Sequence, residues 1–236
     1  MNILLVRVGA DQSDGGGKWN GPCDSETRHF CYVPIPETNP TRDGLETSYR
    51  LVLSAVETFG TTLPAHFTNH VMHLDPDFEH LTYGDRGDKG RQLSSTLQRD
   101  DLLVFYAGLR DTRSRGLVYA IIGMFTVDRI VAARSQPPSD AHRNAHTRRI
   151  LPPNADDIIV LGRPGKSGRL SEFIHIGEYR SRAYRVTEPL LTEWGGISSK
   201  NGYLQRSAVF PSLRDPERFL AWWRSQKPCL VQMNNP

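Results

Sequence analysis

The sequence predicts one α+β domain, residues 1–236, built around a curved and mostly antiparallel sheet with flanking helices. Three observations carry this. The stretch DDLLVFYAGLRDTRSRGLVYAIIGMFTVDRIV (100–131) holds two β-rich apolar runs joined by a polar, arginine-bearing loop, the pattern of a long hairpin. Further strand-like runs follow at 157–162 (DIIVLG), 172–179 (EFIHIGEY) and 182–186 (RAYRV). Helical patterning is confined to short segments, and no internal repeat or long low-complexity linker divides the chain.

Taken in order, residues 2–8 are apolar and rich in branched side chains, a short buried strand. HFCYVPI (29–35) reads as a second strand, which Pro34 and Pro36 confine to an edge or an end. TSYRLVLSAVETFG (47–60) places apolar residues at 49, 52, 53 and 56 ahead of Gly60, an amphipathic helix with a glycine stop. DKGRQLSSTLQ (88–98) is a short helix or loop before the central hairpin, whose second arm is too apolar for a sheet edge. SQPPSDAH (135–142) is a loop. TEPLLTEWGG (187–196) is a short helix with Thr187 as cap and Pro189 in its first turn. DPERFLAWWRSQK (215–227) is a closing amphipathic helix capped by Asp215.

Composition narrows the class. A hydrophobic share of 38% and a charged share of 23% describe a globular protein, and 236 residues suffice for a real core. No apolar run approaches the roughly 18–20 residues that cross a bilayer, and NILLV lacks the build of a signal peptide, so a cytoplasmic protein with no membrane partner is expected. Cys23, Cys31 and Cys229 are read as free thiols, because Cys23 and Cys31 are too far apart for a zinc knuckle and no second pair completes one. Charge is uneven: residues 1–100 carry 9 basic and 14 acidic side chains, residues 101–236 carry 20 and 12. Such asymmetry points to a polyanionic partner, DNA or a nucleotide, for the basic half.

The loop RVGADQSDGGGKWNGP (7–22) leaves the first strand with three consecutive glycines set among charges. Its bare amides suit an anionic ligand. Arg7 would pair with a phosphate and Asp11 would accept from a base or sugar, with Ser13, Gly15, Gly16, Gly17, Lys18 and Trp19 completing a nucleotide site. Two basic loops would touch nucleic-acid phosphates: Arg143, Arg148 and Arg149 around HRNAH (142–146), and Arg163, Lys166 and Arg169 in GRPGKSGR (162–169). The second is no triphosphate loop, since its glycines are too closely spaced. HVMHLDPDFEHLTYGD (70–85) gathers His70, His73, Asp75, Asp77 and His80, but without metal-site spacing, and it is read as a polar turn. The histidines of HRNAH lie among arginines that repel cations, so no metal ligand set is assigned and no cofactor is specified. Trp19 and Trp194 are the candidate base-stacking rings, while Trp222 and Trp223 are core. Asp11, His73 and Asp75 are the clustered groups able to transfer a proton.

The ordered set LLVRVGADQSDGGGKWNGP, YVPIPE, HLDPD, DDLLVFYAGLR and IIGMFTVDRI resembles the bacterial and phage family called nucleotide modification associated domain 3. Arg7, Asp11, Ser13, Gly15, Gly16 and Pro22 match its opening pattern, Pro34, Ile35 and Pro36 its PIP turn, and His73 and Asp75 its histidine–aspartate turn. After Pro137 the basic loops depart from the family pattern. The central hairpin also looks like that of the PUA-like group, which includes readers of modified bases, and this implies a barrel-like sheet. The resemblance implies a role in DNA base modification alongside other components of such a system. Two functions compete: a protein that binds or modifies a nucleotide through the N-terminal loop, or a non-catalytic reader of modified bases or nucleic acid.

Overall fold

Strand β1 (Ile3–Arg7) is buried on both faces: Leu4 and Val6 enter one apolar cluster, Ile3 and Leu5 a second. That two-sided burial is why its sequence is a continuous apolar run and not an alternation. The computed structural model describes residues 1–205 and 207–236. The remaining strands are β2 (Pro22–Cys23), β3 (Ile35–Pro36), β4 (Met72–His73), β5 (Thr82–Asp85), β6 (Leu102–Asp111), β7 (Leu117–Ala132), β8 (Ile158–Gly162), β9 (Gly168–Arg180), β10 (Ala183–Val186) and β11 (Leu230–Val231). The helices are α1 (Leu53–Glu57), α2 (Ala65–Thr68), α3 (Gly87–Thr96), α4 (Ala145–Arg148), α5 (Glu188–Glu193) and α6 (Pro216–Ser225).

Nine strands form one sheet along the path β1-β6-β7-β8-β5, with β9 on β7, β10 and β11 on β9, and β2 on β6. β1 and β2 run parallel to β6, and the other pairings are antiparallel. The expected hairpin is the β6–β7 pair. The expected barrel does not close: β1 and β5 end the path unpaired with each other. Instead, the free edge of β1 is covered by the Pro211–Leu213 segment, where Leu5 N–H donates to Pro211 O (2.8 Å) and Leu213 N–H to Ile3 O (3.0 Å). Covering an edge in this way removes the need for closure.

The other face of the sheet is closed by α5 and α6. Asp215 Oδ1 accepts from Arg218 N–H (3.1 Å), Pro216 opens α6, and Phe219, Trp222 and Trp223 are buried. Thr187 holds the cap position of α5 but its side chain makes no capping bond. Trp194, expected to offer a stacking face, is fully buried against Phe219 and Trp222. Gly195 and Gly196 (φ +72° and +90°) end α5 and lead into Ile197 and Ser198, which pair with the Pro211–Leu213 segment, and they leave no open ring face.

Two sequence expectations change form. Residues 30–34 of HFCYVPI are buried but form only an isolated bridge, Phe30 to Cys23 of β2, with Cys31 N–H on Pro22 O (2.9 Å) and Val33 O accepting from Ala10 N–H (2.7 Å); Ile35 opens β3. The helix at 47–60 divides into a tight turn (Tyr49–Val52) and the short α1. Among the described residues no helix is long and apolar enough to cross a membrane.

All three cysteines are free. Burial pushes the Cys23 and Cys31 thiols up to about 12, while Cys229 is exposed. Thiolate is the reactive form. One thiol per chain should therefore react promptly with a chromogenic disulfide at pH 8, and two more only after unfolding. Three prompt equivalents would contradict the packing around β2.

Candidate functional site

The segment between β1 and β6 brings short elements together above the end of β1. β3 and β4 pair antiparallel with Ile35 opposite His73, and Glu37 N–H bonds to Val71 O (2.9 Å), so Glu37 follows the ribbon to the histidine's side. β5 pairs with β8, Asp85 lying opposite Ile158, which places Asp157 at the near end of β8. Asn144 caps α4: its Oδ1 accepts from His146 N–H (2.8 Å), and its Nδ2 donates to Asp75 Oδ1 (2.9 Å) and Thr82 Oγ1 (3.1 Å). One amide thus orients both the helix and the carboxylate.

These pieces line a cleft of about 340 Å³ that contains Arg7, Asp11, His73, Asp75, His146 and Arg149. Its depth is buried and ionisable. His73 Nδ1 lies 2.7 Å from Glu37 Oε2 and His146 Nδ1 2.5 Å from Asp157 Oδ1, with Arg149 at 3.0 and 3.3 Å from the two nitrogens; an ionised carboxylate only accepts, so each Nδ1 is assigned the ring proton. A ring donating at Nδ1 keeps its lone pair on Nε2. Both Nε2 atoms turn toward Asp75 Oδ2, at 3.9 Å (His73) and 3.7 Å (His146), beyond hydrogen-bond range. Asp75 itself accepts the Gly84 N–H through both oxygens (3.0 and 2.9 Å). Gly84 has no side chain because His146 occupies the space: a Cβ there would lie 2.5 Å from His146 Cδ2.

Arg149 binds Glu37 with a two-pronged fork (Nε–Oε2 2.9 Å, Nη2–Oε1 3.0 Å) and reaches Asp157 at 3.7 Å. Burial pushes the Glu37 carboxyl up, but the His73 and Arg149 hydrogen bonds outweigh it and hold it well below the carboxylate range. Burial drives His73 down to about 4, against the Glu37 bond, so the ring is neutral near pH 7. Burial also holds Asp75 well above its ordinary value, opposed by Gly84 N–H and Asn144. His73, Asp75 and His146 are the described residues whose ligand atoms, all within 4.8 Å of one another, could hold a metal.

The rim differs. Arg86 is exposed and Lys89 half-buried at the start of α3, and Lys89 Nζ stands 5.0 Å over the Phe210 ring. Neither makes an ion pair among the described residues. Tyr83, Tyr106 and Phe210 add aromatic wall.

Of the sequence-assigned residues, Arg7, Asp11, His73, Asp75 and Arg149 line this cleft. Arg7 Nη2 pairs with Asp11 Oδ2 (3.1 Å), and Asp11 also accepts from the Ser13 amide (2.7 Å) and hydroxyl. Ser13, Gly15, Gly16, Gly17, Lys18 and Trp19 do not line it. Ser13 caps the turn Asp14–Gly16, Gly16 sits against the Asp11 carboxylate, and Gly17 (φ +85°) leaves room for the Phe67 ring on which Trp19 packs. Lys18 pairs with Asp14 at the surface. The glycines allow the loop to fold onto Phe67.

The basic face is corrected more strongly. Arg148 is buried on Asp77 (2.9 Å), Arg149 on Glu37, and Arg169 lies in β9 over the Phe30 ring, 3.8 Å from its centre. Arg143 pairs with Asp140 and Arg163 with Asp100, leaving Lys166 exposed and without an ion pair among the described residues. Arg148 and Arg149 are neutralised by Asp77 and Glu37, distant in sequence, and Arg143 by Asp140 three positions earlier, so they do not flood His146 with positive charge. Glu37, Asn144, His146 and Asp157 escaped the sequence reading as site residues. YVPIPE and HRNAH marked two of the segments, but nothing local shows that they meet.

By fold and site, the chain is a mixed α/β protein with a cluster of buried ionisable residues around a cleft at the end of a parallel-paired strand. The model of the family described as nucleotide modification associated domain 3 matches residues 2–235, and the chain belongs to that family. No curated protein and no solved structure matches it.

Proposed function

We propose that the cleft is the active site of an enzyme that binds a nucleotide and modifies it. The carrying observation is the convergence of His73, Asp75 and His146, three buried ionisable groups from two distant segments, beneath a rim bearing Arg86 and Lys89. A reader of modified bases needs stacking faces and phosphate contacts alone. Burying three ionisable groups is costly and contributes nothing to reading, whereas a reacting site uses them. The family to which the chain belongs supports nucleotide modification as the setting.

The ligand we favour is a free nucleotide, not duplex DNA, because Arg148, Arg149 and Arg169, half of the six basic residues expected to touch nucleic-acid phosphates, are buried. In this reading Arg86 and Lys89 meet the phosphate, Arg7 is held by Asp11 at the inner wall, and the reacting part of the nucleotide reaches the His–Asp–His floor.

Calorimetric titration with nucleoside monophosphates and triphosphates, beside a duplex oligonucleotide, tests this. Nucleotide should bind, and Lys89→Ala should weaken it about tenfold, roughly 1.4 kcal/mol, with little change in melting temperature. Tight duplex binding with a steep salt slope and no nucleotide binding would place the ligand elsewhere.

A further inference from the structure

We propose that His73, Asp75 and His146 bind a divalent first-row transition ion at the floor of the cleft, with Glu37 and Asp157 orienting the two imidazoles. This builds on the reading of the cleft as an active site, though its observables are separate.

The histidines are held in the manner of metal ligands. Each gives Nδ1–H to a buried carboxylate, Glu37 at 2.7 Å and Asp157 at 2.5 Å, and presents Nε2 to the cleft. Carboxylate–histidine pairs of this kind set the tautomer and ring direction at metal centres. A histidine buried only for packing would satisfy both nitrogens, yet neither Nε2 makes a hydrogen bond among the described residues. Both side chains are nine-tenths or more buried, with relative exposures of 10% and 4%.

The three ligand atoms lie within 4.8 Å of one another, and the two separations to Asp75 fit one ion. Ligand atoms around a tetrahedral ion at about 2.1 Å lie about 3.4 Å apart. The observed 3.7 and 3.9 Å to Asp75 Oδ2 differ from that by a few tenths of an ångström, within reach of small side-chain torsions. An anion at the same point would meet the Asp75 carboxylate. Two imidazoles with one carboxylate favour zinc, iron or manganese over magnesium or calcium, which prefer oxygen ligands. Three protein ligands leave coordination positions open toward the cleft.

Chelator-treated full-length protein is titrated with Zn2+ and Mn2+, and bound metal is measured by calorimetry and elemental analysis. One ion per chain is expected. His146→Ala should weaken it at least a hundredfold, and Glu37→Gln by about tenfold to a hundredfold. A readout on the wild type alone avoids dependence on variants that fold poorly: Zn2+ should move the ring resonances of His73 and His146 and leave those of exposed His29 and His175 in place. No stoichiometric uptake, or shifts confined to the separate His80–His142 pair, overturns the inference. Nucleotide binding by metal-free protein that takes up no ion would sink this inference and leave the nucleotide reading standing; ion uptake without nucleotide binding would do the reverse.

Discussion

Glu37→Ala lowers the melting temperature by about 10 °C and disorganises the cleft. Its carboxylate holds the Arg149 fork and the His73 Nδ1–H at once, and it is almost wholly buried. Removing it leaves a guanidinium inside the protein with Asp157 alone, at 3.7 Å, and frees the His73 ring to turn. Breaking a buried ion pair from one side typically costs about 3–5 kcal/mol. For a chain of this length each kcal/mol moves the midpoint by roughly 2–4 °C. The pH dependence has a definite sign. The Glu37 carboxyl is held below its ordinary value, so its stabilisation is present above the unfolded carboxylate range, about pH 4.3, and is lost as pH falls further. The gap between wild type and variant should be constant from pH 8 to about 5 and narrow below about 4. Thermal melts across that range check both statements. Equal melting of the two proteins at pH 7 would show that the fork contributes nothing.

Gly84→Ala abolishes ligand binding by the cleft and costs about 1–3 kcal/mol of stability. The added methyl would lie 2.5 Å from His146 Cδ2, 2.9 Å from Cγ and 3.0 Å from Asn144 Oδ1. The imidazole cannot swing aside cheaply, because Asp157 holds its Nδ1 and Asn144 caps the helix that carries it. A displaced Asn144 also releases Asp75. The matched control is Gly165→Ala, at a turn where a Cβ meets nothing within 4 Å but φ is +73°. It should cost about 1–2 kcal/mol from backbone strain and leave cleft binding intact. Binding by Gly84→Ala at the wild-type level would show that His146 does not face the ligand.

The pieces of the fold visible in the sequence were those set by local pattern. The β6–β7 hairpin, β1, β8, β10 and α6 with its Asp215 cap are encoded by apolar runs, turn residues and capping groups a few positions apart. Arg7, Asp11, His73 and Asp75 were singled out from their motifs, but that they line one cleft is seen only in the tertiary structure. HFCYVPI misled because burial, which its composition reports, does not require a regular ladder; a single bridge to β2 and bonds with Pro22 and Ala10 satisfy it instead. Trp194 misled in the opposite sense: adjacent glycines suggested an open face, but α6 packs upon it.

The charged residues divide most sharply between the two levels. Sequence alone determined that the second half is rich in arginine, that acidic and histidine-bearing turns lie in the first, and that the N-terminal loop needs glycine. Only the tertiary structure decided which arginines are spent internally, pairing Arg148 with Asp77 and Arg149 with Glu37, 71 and 112 positions away. It alone set His146 beside Asp75 across Asn144. The physical reason is range. Helix caps, turns and apolar periodicity act over a few residues and are written in neighbouring letters. The partner of a buried charge is chosen by which segments the sheet brings within about 4 Å, a distance that no spacing along the chain records.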